Sequence, residues 1–574
     1  MFRTLGLSVC KLMMPVMLAF SPLFVCAQSP ESMKYAEQME RFFNVYQIIQ
    51  SNYYIQVPTE RLFNKAIQGM MEILDPHSQF QVIKHENPLD LGIKWRHDPD
   101  IRRFVVSHVD EKSGAKAAGV QAGDVIMEIN KNPLGECSLN EDSIRLYDEK
   151  MKDMMYAEVK KGKVKITFAR KILETDGEFT KRNKSIDINV VNYEKPTVPF
   201  GCLIDGKVAY VRIEEFGFTG GNDGRTTSSE FESKLRSLRH QYNNLNAAAD
   251  NGQNDNVVPD TLMPIIIDLR GNGGGLVDAA KEIADMFLND GSMIYYVEGE
   301  HFNKNAVAQG TPEYRSNPLV FLTDSASASA SELLSGAMQD QMRGIVIGQR
   351  TYGKGIMQKT MENGEFQDNV LSITIGRYYL PSGRCVQRWD YSPLVYGEEK
   401  REIYNKDDYG ITPDSIVNDT MPAFFTMLAK QNAFFNSCVD LRIRYPEVVE
   451  ADARTFELTK EQLEYFKVRM LENGYIFETQ VWKDFSEMKE SLNQYGVDAN
   501  YRLLEEDVLN QLSKKLEGND EILRVIVSKK LMKMYRTAED YYLYSLNHDH
   551  VLDVAMTVLK EGLYEDLMDK APER

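Results

Sequence analysis

Three kinds of hydrophobic patterning follow one another along the chain. Over residues 28–86, apolar positions recur at three- and four-residue spacings in Met39–Asn52 and Arg61–Leu74. That spacing predicts two amphipathic helices, parted at Pro58-Thr59. The second ends at Leu74-Asp75-Pro76-His77-Ser78, because proline disfavours helix at the residue before it. Over residues 87–171 the pattern shortens to strands at Phe104–Val106, Val125–Asn130 and Val164–Phe168, with a short helix in Ser113–Gly119 and a tight turn at Gln121–Asp124. Residues 172–195 are polar and lack helical period, which reads as a linker holding one strand at Ser185–Val191. From Val208 to Val417, buried-type strands alternate with helical stretches: Pro264–Leu269, Leu276–Leu288, Leu319–Leu322, Ser329–Gln341, Gly344–Gly348. This alternation predicts an α/β core over residues 196–420. Asn243–Asp260, rich in Asn, Asp and Ala, reads as a surface loop inside it. Residues 421–574 return to helical spacing, with a capping box at Thr459-Lys-Glu-Gln462 ahead of Leu463, Phe466, Met470 and Leu471.

Residues 87–171 add a chemical hint to the pattern. Gly92-Ile93, a helix ending at Ala118-Gly119 and then Ala122-Gly-Asp-Val-Ile126 come in the order of a PDZ domain, which this segment resembles. The resemblance implies that Leu91, Gly92 and Ile93 bind a peptide C-terminal carboxylate and that the peptide adds as an extra strand. Leu134–Gly162 is longer than the usual connection, so the groove is expected to be altered or covered.

Composition narrows the function. The 574 residues carry 67 Lys and Arg against 85 Asp and Glu, a net charge of −18. Such a balance repels phosphate backbones, and no local basic patch compensates for it, so nucleic acid is not the expected partner. The N-terminus has the form of a secretory signal: Arg3 and Lys11, an apolar run from Leu12 to Val25 broken by Pro15 and Pro22, and a Val25-Cys26-Ala27 cleavage site before Gln28. An uncleaved anchor and a lipoprotein acylated at Cys26 are the alternatives. No later stretch has the length of a membrane helix. An exported, periplasmic protein is therefore expected, without a stable membrane span once residues 1–27 are removed. The remaining Cys137, Cys202, Cys385 and Cys438 lie far apart without metal-ligand spacing, and their pairing is not legible. No His-Glu-x-x-His occurs, and His548-Asp549-His550 lies outside the α/β core, so neither a metal nor another cofactor is expected.

Three segments of the core carry candidate chemistry. Ile265-Ile-Ile-Asp-Leu-Arg-Gly-Asn-Gly-Gly-Gly-Leu276 runs from a buried strand into a glycine turn and a helix, presenting backbone N–H groups to an anion or a developing oxyanion. A dinucleotide fingerprint would need a third glycine where Leu276 stands, and a tight turn with no ligand is the plain alternative. Asp324-Ser-Ala-Ser-Ala-Ser-Ala-Ser-Glu332 follows an apolar strand. A serine in the first helical turn suits a nucleophile; taken alone it could equally be an N-cap backed by Glu332. Gly348-Gln-Arg-Thr-Tyr-Gly353-Lys354-Gly355 nearly matches a phosphate-binding loop but ends in glycine where a hydroxyl is required. Lys354 among glycines reads either as a solvated lysine or as a buried base, since burial disfavours its charged form.

Together these segments resemble the carboxyl-terminal processing peptidases, the tail-specific proteases. Tyr379-Leu-Pro-Ser-Gly-Arg384, Gly410-Ile-Thr-Pro-Asp414 and Leu74-Asp-Pro-His-Ser78 follow the same family's motifs. The resemblance spans about residues 35–420. It implies a multidomain α+β protein whose mixed α/β peptidase core is crotonase-like/ClpP-like, with an inserted PDZ-like domain and helical N- and C-terminal regions. It further implies Ser329 as nucleophile, with Ser327 as a register alternative, and Lys354 as general base. Gln358 would position that dyad, and Asp340 matches an acidic residue some members need. The oxyanion hole would comprise Ala330 N–H and a loop glycine, Gly274 first and Gly275 next. Expected partners are proteins or peptides with free C-termini, with a homo-oligomer or activating partner left open. The rival reading is a non-catalytic PDZ-bearing adaptor.

Overall fold

The computed structural model describes residues 30–82, 91–159, 161–193, 195–218, 224–249, 262–361, 369–403, 409–418, 422–473 and 518–569, with scattered positions between 487 and 516. The proposed signal and its cleavage site lie outside the described residues. The chain forms two compact units. The first takes its described residues from Met1–Val82, Thr360–Ile373 and Tyr391–Glu399; the second takes them from Ile83–Lys359, Thr374–Asp390 and Lys400–Arg574.

In the first unit, helices Pro30–Asn52 and Thr59–Glu72 meet through Phe42, Tyr46 and Phe63, with ring centroids 5.9 and 5.1 Å apart. The Asp75 carboxylate then stops the chain in a tight turn, accepting the N–H groups of His77 (2.8 Å) and Ser78 (2.7 Å). The next residues, Gln79–Val82, pair antiparallel with Asn369–Ser372.

The second unit holds the chemistry. Its central sheet has six strands: β1 (Phe200–Ile204), β2 (Val208–Arg212), β3 (Ile265–Asp268), β4 (Leu319–Thr323), β5 (Ile345–Gly348) and β6 (Ser415–Ile416). Their spatial order repeats their chain order; β2 to β6 are parallel, and β1 returns antiparallel on β2. Three helices connect them: α1 (Thr227–Ala249), α2 (Val277–Asp285) and α3 (Ala330–Asp340). Because each parallel strand is added on the same side, right-handed crossovers bring all three helices to one face. There Val211, Ile265, Ile267 and Phe321 pack against Leu235, Ile283 and Leu334. Alternate residues Tyr210, Ile266, Val320 and Ile347 point the other way and need a second cover. C-terminal helices Ala538–Leu546 and His550–Lys560 supply it through Tyr542, Val551, Leu552 and Ala555. Each such large side chain fully buried stabilises by about 1.5–3 kcal/mol, so the helical tail completes the core around the six-stranded sheet.

The segment resembling a PDZ domain is an antiparallel sheet ordered Ile93–Asp98, Arg103–Val109, Val125–Ile129, Lys163–Leu173, Phe179–Asn189. One sequence expectation is filled in and one corrected here. The long connection holds a 19-residue helix, Glu141–Val159, whose Met151, Met155 and Val159 close the module's core. The expected linker at 172–195 is largely the second arm of a hairpin pairing Lys163–Leu173 with Phe179–Asn189. Only Ile186 and Ile188 of that arm are buried, so its exposed polar half hid the strand period. A second correction lies in the core, where α1 continues through Ala249, so residues 243–249 are helical rather than loop, while the rest of that expected loop, residues 250–260, lies outside the described residues; alanine's high helix propensity outweighs the asparagines. Helices Asn432–Arg444 and Asp520–Tyr535 pack on the PDZ-like sheet, putting Phe434, Phe435 and Val439 in one core with Val105, Ala122 and Val125, and Lys460–Glu472 packs on Asn432–Arg444. The Thr459 capping box forms, with Gln462 N donating to Thr459 Oγ1 at 3.2 Å and Thr459 N to Gln462 Oε1 at 3.0 Å. Among the described residues, no helix is long and apolar enough to cross a membrane.

Candidate active site

Parallel strands β3, β4 and β5 all end at one edge of the sheet, and the three candidate segments are the loops that leave it. The first leaves β3 as Gly271–Gly275. It is fixed by Gly271 N donating to Asp324 Oδ1 (2.8 Å) and by Asn272, whose Nδ2 donates to the Ile213 carbonyl at 3.1 Å. Gly274 has φ +103°, and a Cβ there would lie 2.7 Å from the Ser329 Cβ and 3.0 Å from Ala330 N. Glycine is what lets this loop reach the serine. The Gly274 N–H donates to Asn272 Oδ1 at 2.9 Å. Among the described residues, the Gly275 N–H has no such acceptor.

The second loop sets the serines of the run apart by burial and bonding. Ser327 is fully buried, and its hydroxyl donates to the Leu269 carbonyl at 2.8 Å. Ser331 is fully buried and donates to the Asn272 carbonyl at 3.0 Å. Ser329 lies between them, half-buried, as the N-cap of α3 with φ +56° and ψ −113°. A non-glycine residue rarely holds such a backbone, and strain of this kind collects at functional sites. Ala330 opens the helix, so its N–H is one of the four N-terminal donors without an intrahelical acceptor.

The third loop carries Lys354, half-buried, with Nζ donating to Gln358 Oε1 at 3.3 Å. Gln358 stands on strand Ile356–Met361. The loops around Ser329 and Lys354 are joined by two side chains that sequence reasoning did not single out for this role. Fully buried Glu332 accepts the Ser329 N–H (2.8 Å) and the Lys354 N–H (2.8 Å) on Oε2, and the Gly353 N–H (2.6 Å) and Thr351 hydroxyl (2.6 Å) on Oε1. Burial pushes this carboxyl above its ordinary range, and the four hydrogen bonds act against that shift. Ile411 N donates to Thr351 Oγ1, so the Thr351 hydrogen is turned to Glu332. With every partner donating, the group is held as a carboxylate. On the opposite side, the buried Tyr378 hydroxyl shares its hydrogen between the carbonyls of Ser329 (3.1 Å) and Lys354 (2.9 Å). Burial, then the nearby Glu332 and Cys385, keep that phenol protonated. Nothing beyond a capping glutamate and a Tyr-Tyr pair marked these residues in the sequence.

The other candidates stand elsewhere. Asp340 ends α3, about 16 Å along the helix from Ser329 at about 1.5 Å per residue. It pairs with Arg384 (2.7 Å) and accepts Ser382 N (2.9 Å), anchoring the Leu380–Arg384 turn. Leu91, Gly92 and Ile93 belong to the PDZ-like sheet. Gly92 has φ +73°, and a Cβ there would lie 2.2 Å from the Ser113 Cβ. Strand Ile93–Asp98 forms the edge of that sheet, and Trp95 Nε1 donates to Asp148 Oδ1 of helix Glu141–Val159 at 2.6 Å. Among the described residues, no cluster of His, Cys, Asp or Glu has the arrangement of a metal site.

Comparison with known proteins agrees with this organisation. Residues 207–396 match the family model of peptidase family S41, and residues 80–147 match the PDZ domain. Residues 23–81 match the activating protease CtpB N-terminal domain, and residues 424–559 the probable PDZ-protease C-terminal helical domain. A carboxy-terminal-processing protease of Bartonella bacilliformis is 26% identical over 400 residues, 67% of this chain and 76% of the relative. A probable CtpA-like serine protease of Staphylococcus aureus is 28% identical over 371 residues, covering 62% of this chain and 64% of the relative's own length. Among solved structures, the photosystem II D1 C-terminal processing protease aligns over 66% of this chain and 88% of its own, at 19% identity and a TM-score of 0.34. The chain thus has a segment similar to peptidase family S41, with a segment similar to a PDZ domain ahead of it, and resembles carboxy-terminal-processing proteases over about two thirds of its length.

Proposed function

We propose that the chain is an exported serine endopeptidase that cleaves protein substrates near their C-termini through a Ser329/Lys354 dyad. One observation carries the reading: the main chains of Ser329 and Lys354, separated by 24 intervening residues of sequence, share one carboxylate oxygen of Glu332 and one hydroxyl of Tyr378. Two buried side chains that clamp both residues at once favour their acting as a unit. Neutral Lys354 takes the Ser329 proton as Oγ attacks the scissile carbonyl. The tetrahedral oxyanion is met by the N–H groups of Ala330 and Gly275, the second replacing Gly274, whose N–H is engaged by Asn272. Protonated Lys354 then gives its proton to the leaving amine, so that an ester to Ser329 remains. Water, deprotonated by Lys354, hydrolyses that ester and restores the serine. Gln358 orients the Lys354 amine, and Asp340 acts at a distance by holding the 380–384 turn. The PDZ domain recognises free C-termini through Leu91, Gly92 and Ile93 and gates access to the site.

The experiment incubates the mature protein and its Ser329→Ala variant with an exported proteome and reads new C-termini by mass spectrometry. New termini with the first protein alone are expected. Identical termini in both would exclude Ser329. A model substrate amidated at its C-terminus is expected to be cleaved more slowly than the free acid, and equal rates would remove the tail-recognition step. N-terminal sequencing of the exported protein is expected to begin at Gln28.

A further inference from the structure

The oxyanion loop is joined to the C-terminal helical region by an ion network that the reaction as written does not use. Asp268, the last residue of β3, is buried and accepts the Tyr210 hydroxyl (2.6 Å), Arg212 Nη1 (2.8 Å), and Nε (3.0 Å) and Nη2 (2.6 Å) of Arg270. Arg270 directly precedes the glycine loop. Its guanidinium also forks onto Asp549, with Nη1 to Oδ1 at 2.8 Å and Nη2 to Oδ2 at 2.5 Å. Asp549 is the N-cap of helix His550–Lys560, receiving Leu552 N at 3.1 Å, and that helix is bolted to the back of the sheet by Val551, Leu552 and Ala555. Arg270 and Asp549 share the wall of a cavity of about 520 Å³ lined also by Asp324, Gln349, Lys529 and His548.

We propose that Asp549 is a positioning residue for the oxyanion loop, acting through Arg270, and that the C-terminal helical region thereby controls the rate of acylation; this rests on the Ser329/Lys354 reading above. Two arginines and two aspartates balance in the network. Without Asp549, Arg212 and Arg270 face one carboxylate, and the like charges drive Arg270 towards the water-filled cavity. Gly271 follows Arg270 directly and its N–H is tied to Asp324 on the same cavity wall, so a movement of Arg270 pulls on the turn that carries Asn272, Gly274 and Gly275. Its N–H groups act on charge that exists only in the transition state, so a shift is felt in kcat and not in KM.

The test uses the full mature chain. Asp549→Ala is expected to lower kcat and the rate of Ser329 acylation by roughly 10- to 100-fold, less than the ~10²–10³ for outright loss of an oxyanion donor, with KM within about twofold. Formate, small enough for the cavity, is expected to restore part of that rate in the Ala variant and to leave the wild type unchanged. Asp549→Asn keeps the cap and the volume but halves the fork. It is expected to fold as wild type, to lose rate to a lesser degree and to ignore formate. A folded Asn variant and an Ala variant both with wild-type kcat would overturn the proposal, as would an Ala defect that formate does not touch. Failure of the dyad reading would show separately, as hydrolysis persisting in Ser329→Ala whatever stands at 549.

Discussion

Lys354→Ala is expected to lower kcat/KM by at least about 10⁴-fold, the scale on which a nucleophile–base unit loses function when one member is removed. The fold should not register the change. The loop that carries Lys354 is held by its main chain: Lys354 N and Gly353 N donate to Glu332, and Gly355 N donates to Gln387 Oε1 at 2.7 Å. The Lys354 carbonyl receives Tyr378. None of these bonds involves the amine, so circular dichroism and denaturant midpoint are expected to match the wild type. Lys354→Arg is expected to be equally inactive, because a guanidinium does not give up its proton at any working pH. Wild-type hydrolysis in either variant would remove Lys354 from the chemistry.

Glu332→Gln should be the next most damaging change, although Glu332 donates and accepts no proton in the reaction. Four donors converge on its carboxylate, and an amide in its place turns an NH₂ towards at least one pair of them. Each buried donor left without an acceptor costs about 1–3 kcal/mol, and the loops carrying Ser329 and Lys354 relax apart. A displacement of about 1 Å at reacting groups lowers the rate by about 10². Both a lower denaturant midpoint and a kcat about 10²-fold down are therefore expected, and kcat at the wild-type level would contradict the clamp. Because burial holds this carboxyl above the ordinary glutamate range, falling pH protonates it before it would an exposed glutamate. The wild-type rate should fall on the acid side as the carboxylate is lost.

What the sequence revealed and what it concealed divide along physical lines. The strands of the parallel sheet were legible because both faces are buried, which leaves near-continuous apolar runs such as Ile265-Ile-Ile and Leu319-Val-Phe-Leu. The hairpin arm Phe179–Asn189 was not, because Thr180–Ser185 is an exposed run of polar residues and only Ile186 and Ile188 are buried. Ser329 and Lys354 stood out by residue type and by the family resemblance, which already put Ser329 ahead of Ser327; what no local signal shows is that Ser327 is buried with its hydroxyl on the Leu269 carbonyl while Ser329 is half-buried. Glu332 was visible only as a helix cap. That it serves two loops at once depends on where β5 brings Thr351, Gly353 and Lys354, a long-range fact with no local signature. Tyr378 and Asp549 are of the same kind. Each lies far along the chain from what it holds, 49 residues from Ser329 and 279 from Arg270. The helices of residues 421–574 were legible from their spacing, but the role of the tail as the sheet's second cover follows from the strand order, which places every crossover helix on the other face.

The central claim is that Ser329 is the attacking group, and a covalent serine reagent tests it most directly. Mature protein is treated with a fluorophosphonate, digested, and the modified residue located by mass spectrometry. The account predicts a single adduct on Ser329, formed slowly or not at all in Lys354→Ala. An adduct on Ser327, or full proteolysis by a protein that the reagent leaves unmodified, would contradict it.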